Sequence, residues 1–218
     1  MDFSLFTADE RLAQYQLFFD VALTDETVKP IYANYGYDEG TMQEGVALFD
    51  SGYNLQQDKK KEYGEQYAAT DELDAARNAA YVQYIELVQL ARIALKHERN
   101  FQNQLELSGP RERTYSKLYM QMLNFYDAAL GSTDIQAALA RFRITADTFS
   151  AGRALVETMQ QTYQAQKKET SEAQRASHDR DSALDALDDW MGDFIGVSRI
   201  ALSKEPEYLE RLGLVDPS

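Results

Sequence analysis

A chain of 218 residues can bury on the order of 70% of its unfolded surface, so it folds without staples. The absence of cysteine excludes disulfides, thiolate nucleophiles and sulfur-ligated zinc. A formal charge of −14 argues against a basic nucleic-acid footprint and against attraction to anionic lipid, and charges interrupt every apolar stretch well short of the roughly 20 residues that cross a bilayer.

Met1–Glu10 has acidic residues and no basic region or long apolar run, so no secretory leader is expected, and a cytoplasmic location is. Beyond it, Leu12, Tyr15, Phe19 and Ala22 recur at spacings of three and four, the period of one helical face. After Thr24-Asp25-Glu26 a short helix is expected over Thr27–Asn34, stopping near Gly36. A third helix begins near Asp38 and keeps Met42, Gly45, Leu48, Phe49, Gly52 and Leu55 on one face before turning polar around Gln56–Glu65.

Thr70-Asp71-Glu72-Leu73 reads as an N-cap followed by two carboxylates set against a helix dipole, so a fourth helix is expected to start there. Its stripe is Ala76, Ala80, Tyr84, Leu87, Val88, Ala91 and Leu95. Phe101, Leu105 and Leu107 then form a short capping segment, and Ser108-Gly109-Pro110 marks a boundary.

The same order follows again at an offset of 107 residues. Asp20 aligns with Asp127, Gly45 with Gly152, Lys60–Glu62 with Lys167–Glu169, and Arg92-Ile93-Ala94-Leu95 with Arg199-Ile200-Ala201-Leu202. Roughly a quarter of aligned positions are identical, far above chance for this composition, which reads as a tandem duplication. The first stripe returns as Tyr119, Met122, Tyr126 and Ala129, the third as Phe149, Gly152, Leu155, Val156, Met159 and Tyr163, and the fourth as Ala183, Leu187, Met191, Phe194, Ile195, Ser198 and Leu202. Pro206 and Gly213 bracket the last short helix.

The expected fold is therefore all-α: an internally duplicated antiparallel bundle, repeat one over 1–109 and repeat two over 110–218, the two packing into one joint domain. Four long helices, each of about 27 residues paired as hairpins, form a pseudo-twofold core capped by shorter helices.

Candidate chemistry is sparse. A di-iron bundle site needs Glu-x-x-His motifs, which the chain lacks, and its two histidines, His97 and His178, occupy non-equivalent places in the repeats. His178 and Asp181 are three apart and share a helix face, beside Asp179, but in a polar setting that reads as a solvated hairpin tip. Lys59-Lys60-Lys61 and Lys167-Lys168 read as solvated faces, and Asp185, Asp189 and Asp193 as a solvent-facing stripe, with Asp188 and Trp190 beside it. Tyrosines 32, 35 and 37 and methionines 120, 122 and 159 suit core packing, or a pocket under the capping helices.

Arg92 and Arg199 stand inside apolar strings, so their stems are expected to be buried, and Asp20 and Asp127 are the acids retained in both first helices. The expected structural ion pairs are Asp20 with Arg92 and Asp127 with Arg199. No phosphate loop, nucleophile elbow or cysteine nucleophile is present.

No catalytic, cofactor-binding or metal residues are assigned and no cofactor is expected. The composition and spacing point to a structural or protein-interaction helical-bundle module rather than an enzyme, with an unidentified protein partner, no nucleic acid and no membrane. A monomer is expected, with a dimer open. The alternative is a small-molecule binder with an apolar, aromatic pocket between helices, and the weakest reading is a metal-dependent enzyme.

Overall fold

The computed structural model describes residues 5–214, so the first residues of the Met1–Glu10 segment and the last four of repeat two lie outside the described residues. The described chain is helical throughout: α1 (Ala8–Thr24), α2 (Val28–Ala33), α3 (Glu39–Ala94), α4 (Arg99–Gln104), α5 (Tyr115–Leu130), α6 (Thr133–Leu139), α7 (Ala146–Ala201) and α8 (Pro206–Arg211), with a 3₁₀ turn at Ala140–Phe142.

Four of the helix starts have a visible local cause. Thr7 caps α1 reciprocally: its hydroxyl accepts from the Glu10 amide at 3.3 Å, and the Glu10 carboxylate accepts from the Thr7 amide at 2.8 Å. Ser132 accepts from the Ile135 amide at the start of α6, and Asp38 accepts from the Thr41 amide at 3.0 Å at the start of α3. That bond holds the Asp38 carboxyl below its ordinary range. Pro206 opens α8, whose end is closed by Gly213 at φ +68°.

The expected four long helices are two. α3 and α7 each run unbroken for 56 residues, through the positions where the sequence suggested hairpin turns. Thr70 does not cap: its hydroxyl turns back to the Gln66 carbonyl at 2.9 Å, one turn earlier, as a threonine inside a helix does. No proline falls between Pro30 and Pro110, and the polar run Gln56–Glu65 consists largely of good helix formers, so nothing there ends α3.

The chain divides into two compact units, one of residues 1–64 and 171–218, the other of residues 65–170. The first contains α1, α2, α8, the start of α3 and the later part of α7. Its core gathers Leu12, Phe18, Phe19 and Tyr32 against Leu187, Met191 and Phe194. The second contains α4, α5, α6, the later part of α3 and the start of α7, and its core gathers Tyr84, Val88 and Leu95 against Met122, Phe125, Phe149 and Met159. Each core draws on both sequence halves, 1–109 and 110–218. The apolar stripes read from the sequence supply eleven of these fourteen residues, and Phe18, Tyr32 and Phe125 lie outside them.

Two glycines admit a neighbour that no side chain would allow. A Cβ on Gly45 would overlap the Trp190 ring in the first unit, and one on Gly152 would overlap the Tyr126 ring in the second. Around Trp190 the first unit builds an aromatic cluster: Phe19 stacks on the indole at 5.5 Å, Tyr37 meets it edge-on, and Phe194 lies tilted at 5.2 Å. Among the described residues no helix is long and apolar enough to cross a membrane.

Candidate functional site

The four residues expected to form ion pairs are all solvent-exposed. Arg92 donates Nε to the Leu107 carbonyl at 2.8 Å and a terminal nitrogen to the Gly109 carbonyl at 3.1 Å, so it ties the end of α3 to the following loop. Asp127 pairs with Arg153 at 2.6 Å, and Arg153 also bridges Glu157 one turn on. Arg92 and Asp127 thus find their partners inside the second unit, not in Asp20 and Arg199. The reason is phase: Ala91 and Leu95 face the core, and Arg92, a residue past Ala91, swings out of it. Such exposed pairs contribute little stability.

His97 and His178 are both exposed, His97 in the turn after α3 and His178 in the middle of α7. The solvated hairpin tip expected around His178 is a continuous helix, and Asp181 already pairs with Arg180 at 3.1 Å. Asp185, Asp189 and Asp193 face solvent, as their spacing implies.

Two polar constellations that sequence reasoning missed sit at the core edges. In the first unit Asp188 accepts from the Tyr15 hydroxyl at 2.9 Å and pairs with Arg11. Burial, then this hydrogen bond, push the Tyr15 phenol upward. Nearby on α1, Asp9 accepts from Lys60 at 2.9 Å and from Gln56 at 3.1 Å, and these bonds lower its carboxyl. In the second unit Arg111 donates to the buried Tyr84 hydroxyl at 2.7 Å and to the carbonyls of Glu106, Ser108 and Gly109. The only sequence signal for that role is the position of Arg111 just after Gly109-Pro110, where a planar fork can collect turn carbonyls.

One buried pair lies wholly inside a core: Tyr32 donates to Ser198 at 2.9 Å, and Ser198 in turn donates to the Phe194 carbonyl at 2.7 Å. These arrangements pair polar groups and fix helix positions, while Arg11 Nε, Gln56 Oε1 and Arg111 Nε stay buried without a partner among the described residues. None presents a nucleophile, a base and an orienting group in series.

Open surface is more informative. In the first unit a cavity of about 600 Å³ lies between α1, α2 and the start of α3, with Leu23, Pro30, Ala33 and Tyr37 as its apolar lining and Asp38 and Glu39 at its rim. In the second unit Tyr81, Asp74, Arg77 and Arg113 line a shallower one of about 500 Å³. At the ends of α3 and α7, Ile93 and Ile200 are 57% and 62% exposed, while Leu95 and Leu202, two residues on, are fully buried.

No protein-family model matches the chain, and no curated protein or solved structure matches it.

Proposed function

We propose that this chain is a non-catalytic helical-bundle module, made by tandem duplication, that acts by binding protein through the exposed ends of its two long helices. The observation that carries the reading is the pair Ile93 and Ile200. Each stands in the same tetrapeptide, Arg-Ile-Ala-Leu, at the end of a 56-residue helix, and each is more than half exposed. Leu95 and Leu202 account for themselves by burial. An exposed isoleucine kept at the same place in both halves is not explained by packing, and contact with another macromolecule supplies the missing reason.

Duplication is supported by the register of the elements. α3 begins at Glu39 and α7 at Ala146, α4 at Arg99 and α8 at Pro206, α1 at Ala8 and α5 at Tyr115, an offset of 107 in these three pairs, while the starts of α2 at Val28 and α6 at Thr133 differ by 105. The lack of cysteine supports a reducing compartment such as the cytoplasm.

The test replaces both isoleucines, Ile93→Glu and Ile200→Glu, in the full chain. Helicity and Tm should stay near those of the parent, because both side chains are exposed. Cross-linking in host extract should lose the protein species that the parent captures. An unchanged set of captured species would sink the proposal, as would turnover in a broad substrate screen that single substitutions of Tyr32 or Tyr84 abolish.

The cavity beside Tyr37 favours a second reading, a small-molecule binder, since about 600 Å³ is ordinary ligand-site size. Native mass spectrometry on gently isolated protein separates the two: a small bound mass lost on denaturation supports this reading, and the bare chain mass goes against it.

A further inference from the structure

The end of α3 has a charge character foreign to the rest of the chain. In a protein of net charge −14, residues 92–99 and 140–146 together hold Arg92, Lys96, Arg99, Arg141 and Arg143 against the single acid Glu98. Arg141 reaches the Ile93 carbonyl at 3.3 Å and lies over the Phe142 ring at 4.8 Å, which brings the second segment to the end of the helix. Arg92 and Arg141 are spent on uncharged carbonyls, and among the described residues Lys96, Arg99 and Arg143 form no ion pair. All five are exposed, as is Ile93, and Arg141 reaches the Ile93 backbone.

The helix dipole is the ordinary reason for cations at a helix C-terminus. It does not suffice here. α7 ends in the same Arg-Ile-Ala-Leu string and is followed by Ser203, Lys204, Glu205 and Pro206, so a helix end built alike does without the cluster. The cations at α3 therefore call for a partner surface that is acidic and offers an apolar seat for Ile93.

The first unit has such a surface. Its cavity is lined by the apolar Leu23, Pro30, Ala33 and Tyr37, the acids Asp38 and Glu39 and one cation, Lys29. The segment around it, residues 20–44, holds six acids and one lysine, and that lysine, Lys29, is already paired with Glu26 at 2.7 Å.

We propose that the cavity of the first unit receives the Ile93 end of the second unit of another copy of this chain, with Lys96 and Arg143 facing Asp38 and Glu39. This rests on the protein-binding reading above and names the partner. The two patches differ, so the contact is heterologous and either closes by reciprocal exchange or runs on from copy to copy. Repulsion between two acidic chains is screened beyond about 8 Å at physiological ionic strength, and opposed charges inside the contact are screened much less.

The experiment is sedimentation velocity of the full chain over a concentration series reaching roughly 1 mM, the range in which weak contacts show. The parent should associate reversibly. Lys96→Glu with Arg143→Glu reverses one patch, and Glu39→Lys weakens the other; each variant, once circular dichroism shows it folded, should remain monomeric. An equimolar mixture of the two should associate again, because each supplies the patch the other has lost. A monomeric parent at the highest concentration overturns the proposal. So does association that survives either variant, or a mixture of the two that stays monomeric. A monomeric parent whose capture of other proteins still depends on Ile93 and Ile200 would remove self-association and leave the broader reading standing.

Discussion

The outer edge of the Trp190 indole lies so close to Gly45 that a methyl group on that glycine would overlap it. In a helix interior, glycine to alanine ordinarily gains up to about 1 kcal/mol. At this site the sign reverses. The indole is held by Phe19, Tyr37 and Phe194, so it can give way only by disturbing those contacts. Gly45→Ala should therefore destabilise the fold by about 1–3 kcal/mol through overpacking, whereas Gly192→Ala, with open space around it, should be neutral or stabilising. Denaturant midpoints for the two variants check this, and equal shifts would mean that the close approach of Trp190 is not what selects glycine.

The buried hydroxyls of Tyr32 and Ser198 make a second, separable case. Tyr32 is 1% exposed and Ser198 fully buried, so Ser198→Ala leaves a phenol without its acceptor in a dry core. The expected cost is about 1–3 kcal/mol, the penalty of an unsatisfied buried donor. Adding Tyr32→Phe should recover much of it, because then neither partner is stranded. A double-mutant cycle by urea unfolding reads the coupling, and strictly additive losses would show that the bond contributes nothing specific.

What the sequence made legible follows from periodicity. The stripe Ala80, Tyr84, Leu87, Val88, Ala91 and Leu95 is buried because helical spacing alone places those residues on one side, and the same holds for Leu187, Met191, Phe194 and Ser198. Helix continuity was less legible. Thr70-Asp71-Glu72 has the composition of a cap, yet a cap forms only where the preceding residues leave the helix, and Lys59–Ala69 have no cause to leave it. The ion pairs failed for a different reason. A polar residue inside an apolar string can lie on either side of the stripe boundary, and the 100° step between Ala91 and Arg92 put the guanidinium outside. The partners it chose instead, the carbonyls of Leu107 and Gly109, have no sequence signature.

Asp9 predicts a measurable titration. The hydrogen bond from Lys60, then that from Gln56, hold its carboxyl below the ordinary value of 3.8. A depressed carboxylate contributes stability that is fully present above its unfolded pKa and is lost as pH falls through the lower folded value. The contribution of Asp9 thus persists to about pH 4 and disappears only in stronger acid. In Lys60→Gln the carboxyl should titrate closer to its ordinary value, followed by carbon-13 NMR of the Asp9 side chain. An unmoved midpoint would remove Lys60 as the cause.

Arg111 offers the sharpest test of how the second unit closes its end. Its guanidinium collects the carbonyls of Glu106, Ser108 and Gly109 and at the same time gives the buried Tyr84 hydroxyl a donor. Glu106 has a φ of +47°, a region that residues other than glycine seldom adopt, so this turn is held in a conformation that an unrestrained chain would leave. Arg111→Met keeps much of the stem and removes every donor. Stability should fall by about 1–3 kcal/mol, with Tyr84 losing its hydrogen-bond donor. Amide exchange should rise across residues 106–113 while the cores, Val88 and Phe125 among them, keep their protection relative to global unfolding. Tyr84→Phe separates the two roles: it removes only the hydroxyl, so the turn should stay protected and the loss should be smaller. If both variants loosened the turn equally, the Arg111 carbonyl contacts would not be what holds it, and the ordering of residues 106–109 would have to come from the Arg92 bonds to the Leu107 and Gly109 carbonyls and from the packing of Leu105 and Leu107.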